Sequence, residues 1–225
     1  MNWKNAMTLF GVLLLGMGLV FAIDDANSAS EVEIARWVAT TGVSVDTEGG
    51  NISQVTLGAY TLTDRWAAFF GNISGSLNLT DASATNNVYS WAWDADGGGE
   101  VCASEGNDFD WTAVSTATAV AVDTAWGFGN VADNATETFT TSGCNLAFEQ
   151  GSVAATIDVA HQGSSTFTTC GVDDGGATET DFAFCTNISS TGVNYNGTGA
   201  MYEIMVPTTA GSAVTETYFF FVELN

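Results

Sequence analysis

Asn72-Ile73-Ser74-Gly75-Ser76-Leu77-Asn78-Leu79-Thr80 sets an apolar side, Ile73, Leu77 and Leu79, against an entirely polar one. Successive side chains of a strand point to opposite faces, so this alternation describes a half-buried antiparallel strand. A polar turn over residues 81–87 follows. Then Tyr89, Trp91 and Trp93 alternate with Ser90 and Ala92, which supplies the partner strand. On this reading Trp91 and Trp93 fill a core, because a strand with one apolar side needs something to bury it against. Further short runs lie near residues 52–57, 153–159, 166–169, 182–185, 201–206 and 215–224. Many short strands separated by turn residues predict a mainly β protein, an antiparallel β-sandwich of immunoglobulin-like or jelly-roll-like type. Residues 111–123 fit a helix or a strand equally, and no tandem repeat is present.

Composition bounds the functions open to such a fold. The 225 residues are 46% hydrophobic and 12% aromatic, enough for a packed core, and they carry 26 acids against 3 bases for a net charge of -23. A chain whose only bases are Lys4, Arg36 and Arg65 cannot neutralise phosphates, which excludes nucleic-acid binding. An anionic membrane surface would repel it as well. Pro207 is the single proline, so turns fall to Gly, Asn and Asp.

The N-terminus predicts export. Lys4 is the only charge before an apolar run over residues 7–23, and Val20-Phe21-Ala22 offers small residues at a signal-peptidase site. The rival is an apolar helix that is retained. The expected organisation is therefore residues 1–22 as signal peptide or apolar helical segment, 23–42 as an N-terminal arm, and 43–225 as one β domain. Within the arm, Ser30 and Glu33 form a capping-box pattern ahead of Ile34, Trp37 and Val38, which predicts a short helix ending near residue 41.

Four cysteines, Cys102, Cys144, Cys170 and Cys185, predict two disulfides in an exported chain. Of the three connectivities, Cys170–Cys185 with Cys102–Cys144 joins sequence neighbours and is the expected one. Glycosylation sequons occur at Asn51, Asn72, Asn78, Asn134, Asn187 and Asn196, six where chance predicts about three. Spaced carboxylates on a Gly-rich turn make Asp94, Asp96 and Glu100 candidates for Ca²⁺, although no EF-hand pattern is completed. Catalysis finds little support. His161 is the only histidine, no lysine survives signal cleavage, and neither a nucleophile elbow nor a phosphate loop is present. The expectation is a non-enzyme, secreted to the extracellular surface.

The stretch Thr61-Leu62-Thr63-Asp64-Arg65-Trp66-Ala67-Ala68-Phe69-Phe70-Gly71-Asn72-Ile73-Ser74-Gly75, followed by Tyr89-Ser90-Trp91, resembles a segment of secreted archaeal cell-surface proteins. The layout as a whole resembles subunits of archaeal extracellular threads and pili. That resemblance implies a glycosylated structural subunit that polymerises with copies of itself, a segment after Ala22 completing the sheet of the next copy. Residues 218–222 are then a candidate sheet edge or acceptor groove. The alternatives are a type IV pilin-like subunit with a retained helix core, a surface-layer protein, and a carbohydrate-binding module with Trp91 or Trp93 exposed.

Overall fold

A computed structural model describes residues 24–25, 44, 46, 48–50, 52–56, 62–83, 85–148, 151–209 and 215–225. Strands make up 39% of it and helices 10%, and every pairing between its strands is antiparallel, so the chain is mainly β. The organising strands are β5 (Gly99–Ser104) and β10 (Phe182–Asn187). Both are buried along nearly their whole length, the polar Glu100, Ser104 and Thr186 included. A strand buried on both faces belongs at the centre of a sheet. The two pair side by side in an eight-stranded sheet, ordered β1 (Asp24–Asp25), β12 (Phe219–Leu224), β5, β10, β9 (Thr168–Asp173), β8 (Gly151–Ala160) and β7 (Thr140–Phe148), with β6 (Ser115–Thr116) beside β9. Two ribbons complete the strands: β2 (Trp66–Gly71) with β11 (Tyr202–Pro207), and β3 (Ser76–Thr80) with β4 (Asn87–Ala92).

Alternation divides the core between the two faces of the main sheet. Cys102, Cys170, Cys185 and Phe221 share one face, where Trp111, Leu146 and Phe148 cover them. Ala103, Phe182 and Phe184 point the other way, into a cluster closed by Phe69 of β2, Ile204 and Val206 of β11, and Val122 and Trp126. Trp126 meets Phe182 and Phe184 at ring-centroid distances of 5.6 and 5.8 Å. Tilted and edge-on pairs of this kind stabilise beyond the area they bury. Gly99 has φ of 126° and lies against the Glu223 carbonyl, a place where a side chain would clash as well as strain.

The ambiguous segment over residues 111–123 divides into loop, β6 and helix. Thr118 Oγ1 accepts from the Ala121 N–H at 3.2 Å and starts α1 (Ala119–Ala125). Asp123 then reaches the next helix, α2 (Ala135–Thr138), its carboxylate accepting from the Ala135 N–H at 2.5 Å and the Thr136 N–H at 3.1 Å. Residues 52–56, expected within a strand, are exposed and belong to none. Ile52 and Val55 are three residues apart, so the segment lacks a strand's period of two, and no strand among the described residues pairs with it. The apolar segment 1–22 and the capped helix at 30–41 lie outside the described residues.

The disulfides correct the sequence reading. Cys102 bonds Cys185 and Cys144 bonds Cys170, with Cα–Cα distances of 4.0 and 5.9 Å. Nearness in sequence misled because the sheet neighbour of β5 is β10, which places Cys102 directly opposite a residue 83 positions away. Cys185 faces Cys170 on its other side as well. Register alone therefore left two partners open to it.

Candidate functional site

Three places stand out from the packed body: the outer edge of β12, the β3–β4 ribbon, and a buried polar clasp around His161. β12 pairs with β5 over all six of its residues. On its other side, among the described residues, it meets only β1, with Asp24 opposite Val222 and Asp25 opposite Phe221. No strand of the described residues lies beside Phe219 and Phe220 on that edge. The strand is nonetheless anchored. Phe221 enters one core cluster, Phe220 packs on the other, and Val222 and Leu224 pack around Val101 and Ile188. The expected edge at residues 218–222 thus lies near the margin of the main sheet, next to Asp24 and Asp25.

The entry into β12 is fixed by a polar knot. The Tyr218 hydroxyl lies 3.0 Å from Glu105 Oε1 and also against the Pro207 carbonyl, and the Trp126 Nε1–H donates to the same Glu105 oxygen at 3.1 Å. Burial is the main cause that pushes the Glu105 carboxyl above its usual range, and burial likewise holds the Tyr218 phenol far above its ordinary value. One phenolic proton facing two acceptors is under-supplied. The hydroxyl donates toward both the Glu105 carboxylate and the Pro207 carbonyl.

The β3–β4 ribbon departs from expectation. Leu77 pairs with Trp91 and Leu79 with Tyr89 across the strands, yet all four are about half exposed, Trp91 at 51%. The apolar side was expected to fill the core and faces outward instead. Only the root is seated, where Ile73 and the half-buried Trp93 pack against Ala95, Val101 and Ile188. Alternation reveals that a strand has an apolar side. It does not reveal whether that side meets its own core or something else.

His161, the chain's single histidine, lies just beyond β8. Its Nδ1 sits 2.6 Å from Glu203 Oε1 and its Nε2 2.8 Å from Thr169 Oγ1. Residues 161, 169 and 203 show no spacing signal that could have announced them. A hydroxyl, an imidazole and a carboxylate in that order resemble a nucleophile with its base and orienting acid. Thr169, however, is fully buried, and its oxygen already accepts from the Met205 N–H at 2.8 Å, so no substrate reaches it. The other Glu203 oxygen accepts from the Tyr195 N–H at 2.7 Å, which pins the loop carrying the Asn196 sequon. The arrangement acts as a clasp.

The remaining sequence candidates are scattered. Asp94 caps a single 3₁₀ turn by accepting from the Asp96 N–H at 3.2 Å, and Asp96 accepts from the Ser190 hydroxyl. Glu100 is buried in β5 opposite Glu223 and accepts from the Ala147 N–H at 3.0 Å. Burial raises the Glu100 carboxyl, with the Ala147 bond opposing. The three do not converge, and among the described residues no three metal-ligating side chains gather. Asn72, Asn78, Asn187 and Asn196 are exposed, whereas Asn51 lies outside the described residues. Asn134 is nearly buried. Its Oδ1 caps α2 through the Glu137 N–H at 2.8 Å and its Nδ2 donates to the Gly129 carbonyl at 3.1 Å.

No family model matches this chain, and neither a curated protein nor a solved structure is similar to it. Function therefore rests on the residues themselves. All four cysteines are paired, which fits an oxidising compartment.

Proposed function

We propose that this chain is a non-catalytic structural subunit of an extracellular archaeal filament, an exported β-sandwich carrying N-linked glycans on its exposed sequons. The observation that carries the reading is the β1–β12 pairing. Asp24 and Asp25 follow the apolar run over residues 7–23 directly and lie along the edge of a well-anchored strand. A sheet edge offers unpaired N–H and C=O groups to any extended segment. In an isolated copy Asp24 and Asp25 lie on its own β12. In a polymer the same register accepts the arm of the next copy, with no new chemistry required.

Electron microscopy of native surface material, with N-terminal sequencing of the subunit, tests the proposal. Filaments whose subunits begin near Ile23 support it. A start at Met1 or Met7 transfers support to a pilin-like subunit with a retained helix. Monomers alone, under conditions that preserve assemblies, sink both. The exposed Tyr89 and Trp91, with ring centroids 4.6 Å apart, favour one further reading, a carbohydrate-binding module. Binding on a glycan array that is lost in Trp91→Ser would establish that one.

A further inference from the structure

We infer that the apolar face of the β3–β4 ribbon is a lateral self-contact, seated against the same face of a second copy. The contact rests on the filament reading and gives the subunit a grip separate from its N-terminal arm. Leu77, Leu79, Tyr89 and Trp91 expose one continuous cross-strand surface of roughly 400 Å² of apolar side chain, the size at which exposed patches mark interaction sites. A two-stranded hairpin is marginal in water, and a second layer packed about 10 Å away is the usual remedy.

Charge selects the occupant. Two copies at -23 repel wherever their acids meet. From Asn72 to Trp93 the only charged residue is Asp81, and it is tied into the turn at the ribbon's tip. Its carboxylate accepts from the Ser83 hydroxyl at 2.9 Å, the Thr85 N–H at 3.0 Å and the Asn86 amide at 2.7 Å. The ribbon is therefore a neutral window in an anionic surface, where like can approach like. Asn78, the sequon of β3, lies on the opposite face, so a glycan there leaves the window open. A pair related by a two-fold axis matches the patch to itself. Each half is smaller than a standard interface, so the pair is weak, and it strengthens as salt screens the surrounding acids.

Sedimentation velocity on the full native chain at high salt tests this. The wild type is expected to self-associate, Leu79→Ser/Trp91→Ser to do so at least tenfold more weakly, and Asn78→Gln to match the wild type. Circular dichroism and an unchanged melting temperature establish that the double variant is folded, as expected with the ribbon root intact. A wild type that stays monomeric overturns the contact, as does a double variant that associates normally. A monomer whose Trp91 resists oxidative labelling assigns the face to the chain's own N-terminal segment and also overturns it. So does Trp91-dependent binding of a polysaccharide by monomers. Electron microscopy of the same samples separates this outcome from the filament reading. Thin single filaments from the double variant uphold the lateral contact, and ribbon-dependent pairing without any filaments overturns the filament reading alone.

Discussion

Replacing Cys102 and Cys185 together by alanine probes the order of the main sheet. The observed bonds are nested, since the 26-residue separation of Cys144 and Cys170 lies inside the 83-residue separation of Cys102 and Cys185. Closing a longer loop removes more entropy from the unfolded chain. The inner bond is worth ~3.5 kcal/mol on that scale, and the outer bond, shortened by the inner one, about 4 kcal/mol. For a chain of this size the outer loss lowers the melting temperature by roughly 8–16 °C. The assay pairs thermal unfolding with thiol titration in denaturant. With nested bonds, the Cys102→Ala/Cys185→Ala variant keeps Cys144 and Cys170 joined and shows no free thiol. With the side-by-side pairing, the same variant orphans Cys144 and Cys170 and two thiols titrate. Both cysteines must be removed, because an unpaired Cys185 would face Cys170 and could exchange with it. Two free thiols, or a stability loss below about 1 kcal/mol, would refute both the sheet order and the entropic argument.

Acid is expected to stabilise before it destabilises. Glu105 and Glu100 hold their protons more tightly folded than unfolded, so their contribution is complete below the ordinary carboxylate value of 4.5 and is lost as pH rises through their raised values. Asp110 and Asp181 are lowered by hydrogen bonds, chiefly from Thr112 and Thr178, and their contribution disappears as pH falls through the depressed values. The melting temperature should therefore peak in mild acid, and Glu105→Gln should flatten its neutral side; a monotonic rise to pH 8 contradicts this. Glycopeptide mass spectrometry should find Asn134 bare, because both ends of its amide are engaged, and Asn134→Ala should cost about 1 kcal/mol as a lost cap. A sugar on Asn134 in the folded protein refutes that assignment. Glu203→Ala breaks a buried pair and frees the Tyr195 amide, with an expected loss of about 3–5 kcal/mol and faster hydrogen exchange at Tyr195. An unchanged melting temperature would mean that the clasp is idle.

Period-two patterning was legible where a strand stays in one sheet. Tyr89 to Trp91 and the 153–159 run fall inside strands that form, and the 201–206 run matches β11 from Tyr202 onward. Long-range pairing was not legible. Nothing local tells Cys102 that its neighbour is Cys185, or His161 that Glu203 lies beside it, because each contact is made by sheet order across 83 and 42 residues. The outward face of the β3–β4 ribbon was misread for a related reason. An apolar side fixes the need for a partner and is silent on whose surface supplies it. The pairing of residues 24–25 with β12 has no sequence signal, because its register is set by the fold.

The acids explain how a chain with a single proline holds so many turns, and why the uncharged ribbon is conspicuous. Asp181 gathers the Ala177 N–H, the Thr178 N–H and the Thr178 hydroxyl at 2.7–2.8 Å, fastening the turn before β10. Asp110 does the same for Thr112, Asp81 for the tip of the β3–β4 turn, and Asp123 for the start of α2. A carboxylate accepting several donors is held ionised, which is why hydrogen bonds lower Asp81, Asp110 and Asp181. The negative charge is then partly a consequence of how the loops are built, and it cannot be shed without loosening them. On the proposed reading, copies of a chain built this way meet most easily through backbone edges or through surface that carries no acid. β12 provides the first and the β3–β4 ribbon the second, which is why the two assembly contacts proposed for this chain fall where they do.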